Sequence, residues 1–281
     1  EDASEAEHDR GWFELDGEGL PLPRGADDAF FTLVIPASVH DAAPGTVPVL
    51  VFGHGLFSAP QNYVASSTDE SGTVDLCGRL GAICVGTEWR GLAERDVADA
   101  VRVATNLGRF PLLTDKLIQG VSNQLAVARA FRTGLVDSPW LQASGGGGSL
   151  VDPDRIHYLG ISLGGIEGAT FLATTEVVEH GVLHVPGAVW ATMLERSSNW
   201  TDFESFVAEV QPDPAARQQI YAMSQLLWDP VDPMSHTQAL ADRSVLWQLS
   251  IGDEQVPNFT AETLARTLGV PLVGDPVVSV F

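Results

Sequence analysis

The chain has 281 residues, 44% apolar and 19% charged, with 28 glycines and 17 prolines. This composition excludes a disordered polymer, which is poor in apolar residues, and a collagen-like repeat; no stretch approaches the eighteen uninterrupted apolar residues of a membrane-spanning helix. Thirty-seven acids against fifteen Lys and Arg leave a net charge of −22, which rules against nucleic acid and anionic membranes as partners, since both are bound mainly through cations.

Residues 1–25 read as an acidic lead-in, beginning with the run Glu1 to Asp9, and residues 26–281 as one domain. The chain starts at Glu1 without a basic or apolar leader, so the expectation is a signal peptide already removed and a secreted or extracytoplasmic protein. Ala29 to Val39 is apolar and β-branched, and Val47 to Phe52 is a continuous apolar run ending on Gly53-His54-Gly55. Both read as strands, the second as a buried parallel strand meeting a turn. A helix over Thr73 to Leu80 and a strand over Ala82 to Val85 follow, with Cys77 and Cys84 across their junction. A buried thiol pair and a disulfide both remain open for these two. Helical spacing returns over Asp96 to Asn106 and Thr114 to Arg132, the latter with Leu117, Val121, Leu125 and Ala128 on one face and Ser122 and Gln124 off it. Ser144 to Ser149 (SGGGGS) reads as a flexible loop, since it lacks the flanking strand and helix of a phosphate cradle. Then come a strand over Arg155 to Ile161, a helix over Gly164 to Ala173 and a strand over Val185 to Met193. Residues 195–242 read as a mostly helical cap or lid insertion, before a strand over Ser244 to Ile251 and a helix from Asn258 to Leu268. Strands alternating with helices predict an α/β fold, a mostly parallel sheet covered on both faces.

Three strand ends carry chemistry. Gly160-Ile161-Ser162-Leu163-Gly164, followed by Gly165, matches G-x-S-x-G between an apolar strand and a helix. Such a turn lifts the serine hydroxyl above the sheet, and needs glycines where a Cβ would clash. Phe52 to Phe57 (FGHGLF) ends an earlier strand and can supply one of the two backbone N–H groups that an acyl-transfer serine aims at its oxyanion. Leu56 is the expected donor there, ahead of Phe57, with Leu163 as the other; His54 reads as structural. Gly252 to Asn258 (GDEQVPN) follows another strand, so Asp253 can orient an imidazole or simply cap the next helix.

In that order, these units resemble the α/β-hydrolase fold over about residues 29 to 275, and VDPDRIHYLGISLGG with WDPVDPMSH resembles secreted bacterial lipases and esterases, the virulence-factor lipases among them. The resemblance implies a serine carboxylic-ester hydrolase with no metal and no cofactor, acting on a small-molecule or lipid ester, with Ser162 as nucleophile and Asp253 as triad acid. One departure matters. The family's histidine follows the acid, whereas all seven histidines here precede Asp253. The expectation is a fold truncated at its C-terminus, with the catalytic histidine beyond Phe281.

Among the substitutes, His236 lies in the insertion and His157 in the strand before the serine, while Glu195 is an alternative acid. Glu179, His180 and His184 have metal-like spacing, but Gly181 and Pro186 break any helix presenting them. Glu88-Trp89-Arg90-Gly91 is expected at a pocket rim, and Trp200, Phe203, Phe206, Leu226, Leu227 and Trp228 either line an acyl pocket or fill the cap's own core. A peptidase, thioesterase, polyester depolymerase or inactive binding module would use the same fold. Oligomeric state is not encoded in these patterns.

Overall fold

The computed structural model describes residues 13–23, 25–26, 28–66, 68 and 72–274. The run Glu1 to Asp9 lies outside them. Of the lead-in, Leu15 bridges Pro21, and the Phe13 N–H donates to Asp115 Oδ2 at 2.8 Å.

The apolar runs become the strands β1 (Phe31–Val34), β2 (Val47–Gly53), β3 (Ile83–Thr87), β4 (Val151–Ile161), β5 (His180–His184) and β6 (Ser244–Gln248). They form one sheet in the order β1-β3-β2-β4-β5-β6, with β1 antiparallel and every other pair parallel. β2 sits at the centre. Its Pro48 has no N–H for the ladder, and the β2–β4 register shifts there, between Val47 and Val49. Alternation then sends Val49 and Val51 to one face and Leu50 and Phe52 to the other.

The first face carries most of the core. α1 (Gln61–Val64) and α2 (Thr73–Leu80) precede β3, whereas α3 (Val97–Thr105) and α4 (Pro111–Ala130) follow it. α5 (Leu163–Thr174) runs from the end of β4 across β2, β4 and β5, buried along almost its whole length. α4 packs beside it, and its Leu113, Leu117, Val121 and Val127 join the main cluster. The second face is covered by α1 and α2 over Leu50, Phe52 and Cys84; over β5 and β6, His180, Leu246 and Gln248 stand exposed.

Two expectations are corrected here. Gln124 is not off the core face of its helix but fully buried, accepting the Thr87 N–H (3.4 Å) and donating to Phe52 O (3.1 Å), so it bridges the ends of β2 and β3. Val185 to Met193 is not a strand. The strand is the preceding His180–His184, and residues Trp190–Leu194 form α6. Val185 and Val189 have φ of 46° and 59°, outside the β region, and Pro186 between them has no N–H to pair. The SGGGGS run closes a hairpin, with Gln142 bridging Ser149 and Ala143 N bonded to Gly148 O at 3.0 Å.

Between α6 and β6 the chain inserts α7 (Thr201–Val210), α8 (Pro214–Trp228) and α9 (Thr237–Leu240), which pack on α3, α6 and α5 respectively. Glu204 ties the first two together, accepting from Tyr221 Oη (2.5 Å) and Trp200 Nε1 (3.1 Å) and pairing with Arg217. Burial and this carboxylate push the Tyr221 hydroxyl up to about 12. The buried Asp232 carboxylate seats the insertion on the sheet, taking the N–H groups of Val189 (3.1 Å) and Trp190 (2.8 Å) and Gln225 Nε2 (2.9 Å).

Cys77 and Cys84 form a disulfide that joins the end of α2 to β3. Both residues are fully buried. Closing so short a loop in the unfolded chain is worth about 2 to 3 kcal/mol. Cys77→Ala/Cys84→Ala should therefore lower Tm by about 5 to 10 °C in a thermal melt; an unchanged Tm would mean that the bridge contributes nothing to the fold.

Candidate active site

The junction of β4 and α5 is forced into its shape by close backbone contacts. Ser162 sits at φ 56° and ψ −116°, a conformation that costs an L-residue on the order of 1–3 kcal/mol and is held only where the surroundings over-determine it. A Cβ on Gly164 would lie 2.1 Å from Gly53 O, and one on Gly160 2.0 Å from Gly164 O. The two glycines of the motif thus let α5 start directly against β2. The Ser162 N–H donates to His184 O on β5 (3.0 Å), and Tyr158 Oη donates to Gly164 O (2.6 Å) from beneath. Burial, and then the charge of Glu167, hold that phenol well above its usual range.

The loop after β2 is held by His54. Its ring is fully buried, with Nε2 accepting the Trp89 N–H (2.9 Å) and Nδ1 2.8 Å from Gly55 O. An accepting Nε2 places the proton on Nδ1, which donates to Gly55 O. Burial drives the ring's pKa down to about 4, so it is neutral at ordinary pH. The next residues follow from this anchor. Phe57, at φ 49°, commits its N–H to Leu92 O (2.9 Å), whereas the N–H groups of Leu56 and Leu163 donate to none of the described residues.

Ser162 borders two spaces. One is a narrow apolar cavity of about 90 Å³ beneath the insertion, walled by Leu163 and Ile166 of α5, Trp190 and Met193 of α6, Phe203 of α7 and Ile220 and Trp228 of α8. The other is a wider vestibule of about 660 Å³, with Tyr63, Ser198, Asn199, Asp202 and Gln255 in its wall. Leu56, Phe57, Asn199, Phe203 and Gln255 border both, and the two phenyl rings pack at 5.7 Å. Of the aromatic and leucine residues expected at a lid, Trp200, Phe203 and Trp228 line the cavity and Phe206 the vestibule. Leu226 and Leu227 do neither; they lie on the solvent side of α8, 73% and 42% exposed.

Asp253 lies in the turn after β6, so it and Ser162 stand at the carboxyl edge of the same sheet with β5 between them. Its Oδ1 accepts the N–H groups of Gln255 and Val256, both at 2.9 Å, and Oδ2 has no donor among the described residues. Gln255 and Val256 reach the cavity wall. The insertion grips this loop, through Ser197 Oγ to Gln255 O (2.6 Å) and Ser198 N to Glu254 O (2.8 Å).

Among the described residues, no histidine lines either space at Ser162. His236 bonds to Pro230 O and His184 to Gln248, while His157 packs edge-on to His180. Glu195 lies at the end of α6 beside Arg196, and Glu88 pairs with Arg95, so the expected pocket rim is supplied by Leu92 instead. Sequence reasoning missed Tyr158 and Asp232. The one signal for Tyr158 was its place two residues before Gly160, on the side of β4 facing the turn. Glu167, one residue past Ile166, is fully buried; burial and then Asp232 raise its carboxyl well above the usual range.

Among solved structures, the chain superposes on the acylaminoacyl peptidase of Pyrococcus horikoshii (16% identity, TM-score 0.51, 85% of this chain and 32% of that one). It also superposes on acetyl xylan esterase 1 from a Thermoanaerobacterium species (16%, 0.52, 80% and 66%) and on a puromycin hydrolase (15%, 0.53, 92% and 32%). This chain has the α/β-hydrolase fold. It spans about a third of the length of the first and last of these proteins and 66% of the esterase. No protein-family model matches the sequence, and no curated protein matches it significantly. These neighbours show the fold and do not bear on the narrower resemblance to secreted lipases. In the α/β-hydrolase frame, Ser162 stands at the strand-to-helix turn and Leu56 in the loop after an adjacent strand.

The His54 anchor is testable without any substrate. Unfolded histidine takes its proton near 6.5 and folded His54 near 4, so between these values the unfolded chain binds more proton. The site's contribution to stability therefore falls as pH drops through that window, by up to about 3 kcal/mol. The His54 ¹⁵N shifts should stay those of a neutral Nδ1–H imidazole from pH 8 to pH 5; titration near pH 6.5 would contradict the anchor.

Proposed function

We propose that the chain is the core of a serine hydrolase that cleaves carboxylic esters through an acyl-enzyme on Ser162. The observation that carries this reading is Ser162, held at a positive φ of 56° on the border of an apolar cavity that Leu56 and Leu163 also line, with the N–H groups of those two residues donating to none of the described residues. In this scheme Ser162 Oγ attacks the acyl carbon and passes its proton to an imidazole, and the Leu56 and Leu163 N–H groups receive the oxyanion. The proton then goes to the leaving alkoxide, and water repeats the cycle in reverse. Asp253 Oδ2 orients the imidazole and stabilises its charged form. The imidazole comes from a histidine beyond Phe281, because the described histidines are engaged or placed elsewhere. The substrate is a small-molecule or lipid ester, and the buried disulfide supports an oxidising, extracytoplasmic setting.

An ester is favoured over a peptide by the walls of the two spaces, where Asp202 is the only charged residue among the described ones and none of these is a cation that could hold a peptide carboxylate. The second reading, an amide or peptide hydrolase, draws on the acylaminoacyl peptidase and puromycin hydrolase among the structural neighbours.

On a chain carried past Phe281 to its next histidine, p-nitrophenyl butyrate should be hydrolysed much faster than the matching p-nitroanilide. Ser162→Ala should lower kcat by about 10⁴-fold or more and abolish fluorophosphonate labelling. The 281-residue chain itself should turn over negligibly. Equal labelling of Ser162→Ala and parent would overturn the nucleophile, and faster anilide cleavage would favour the peptidase.

A further inference from the structure

Resting on the proposed oxyanion role of the Leu163 N–H, we infer that Tyr158 is a positioning residue of the site, whose hydroxyl starts a hydrogen-bond relay through two peptide groups that ends on that N–H. Tyr158 Oη donates to Gly164 O at 2.6 Å. The Gly164 carbonyl shares a peptide group with the Gly165 N–H, which donates to Ser162 O at 2.7 Å. The Ser162 carbonyl in turn shares a peptide group with the Leu163 N–H, which donates to none of the described residues. A bond accepted at a carbonyl polarises its peptide group and makes the N–H on the other side a stronger donor. Each link therefore adds to the positive end that meets an oxyanion.

The phenol is built into this place. Tyr158 stands on β4, fully buried on the face that carries α5, and Phe171 of α5 packs against its ring at 5.1 Å. Three glycines make room for its outer end: a Cβ on Gly53 or Gly160 would overlap the hydroxyl oxygen, and one on Gly168 would overlap Cε1. A phenylalanine would fill the ring's volume equally well, so packing alone asks for no hydroxyl. Burying one costs free energy unless it is bonded, and here its bond goes to the first turn of α5. Burial also keeps the phenol protonated, so it remains a donor. Cooperative strengthening of about 10 to 30% per bond, on an oxyanion donor worth about 10²- to 10³-fold in kcat, amounts to roughly two- to eightfold.

Two variants test the relay. Tyr158→Phe keeps the ring and removes the donor; meta-fluorotyrosine at position 158 keeps nearly the same shape and is a more acidic, stronger donor. In ¹⁵N-labelled protein without substrate, the amide protons of Gly165 and Leu163 should move upfield in the first and downfield in the second. In the full-length protein acting on p-nitrophenyl butyrate, kcat should fall about two- to eightfold in the first and rise in the second, with KM unchanged in both. A residue that only fills space would change Tm without this ordered response. Amide shifts that do not follow donor strength, or an effect confined to KM, would overturn the relay. If Tyr158→Phe fails to fold, the fluorinated protein still decides by the direction of its shifts. Shifts that follow donor strength, in a protein whose Ser162→Ala variant hydrolyses the ester as fast as the parent, would leave the relay standing and overturn the nucleophile instead.

Discussion

Everything at the candidate site depends on one backbone contact, the start of α5 against the end of β2. Gly164 lies so close to Gly53 that no side chain larger than hydrogen fits between them. That approach fixes where Ser162 can be, and it forces the left-handed φ that turns its side chain away from the sheet. Strain of this kind survives only where several partners agree. Here they are His184 O on the Ser162 N–H, Tyr158 Oη on Gly164 O, and the α5 helix closing onto Ser162 O.

The same contact places the second half of the site. Because α5 abuts β2, the loop leaving β2 passes directly beside the serine. His54 clamps that loop to Trp89, and Gln124 ties the strand ends below it. With Phe57 bonded to Leu92 O, Leu56 is the neighbour whose N–H donates to none of the described residues, and it borders the same cavity as Leu163. The insertion adds the third wall. It is seated by Asp232 and braced within itself by Glu204, and its first residues hold the turn that carries Asp253. The loops after β2 and β6 and the helices of the insertion therefore meet around one hydroxyl, although they are far apart in the chain.

Much of this was legible in the sequence, and the reason is local sterics. The glycines flanking Ser162 and the apolar runs Val47 to Phe52 and Ala82 to Val85 state their own requirements within a few residues. What was not legible depends on partners brought from a distance. Gln124 looks like a solvent-facing residue until Phe52 and Thr87 are placed beside it, and the polar HGVLH segment reads as strand only once β4 and β6 flank it. The apolar stretch after it misleads, because its Pro186 and two left-handed valines cannot pair. In the insertion, composition separates apolar from polar but not the cavity side of α8 from the solvent side, so Trp228 and Leu227 looked alike.

The central claim is that Ser162 and the Leu56 and Leu163 amides form one acyl-transfer site. The most direct measurement is a crystal structure of the protein after reaction with a butylphosphonate ester. The account predicts phosphorus bonded to Ser162 Oγ and its oxygen about 2.7 to 3.1 Å from both amide nitrogens. A phosphonyl oxygen turned to solvent would contradict it.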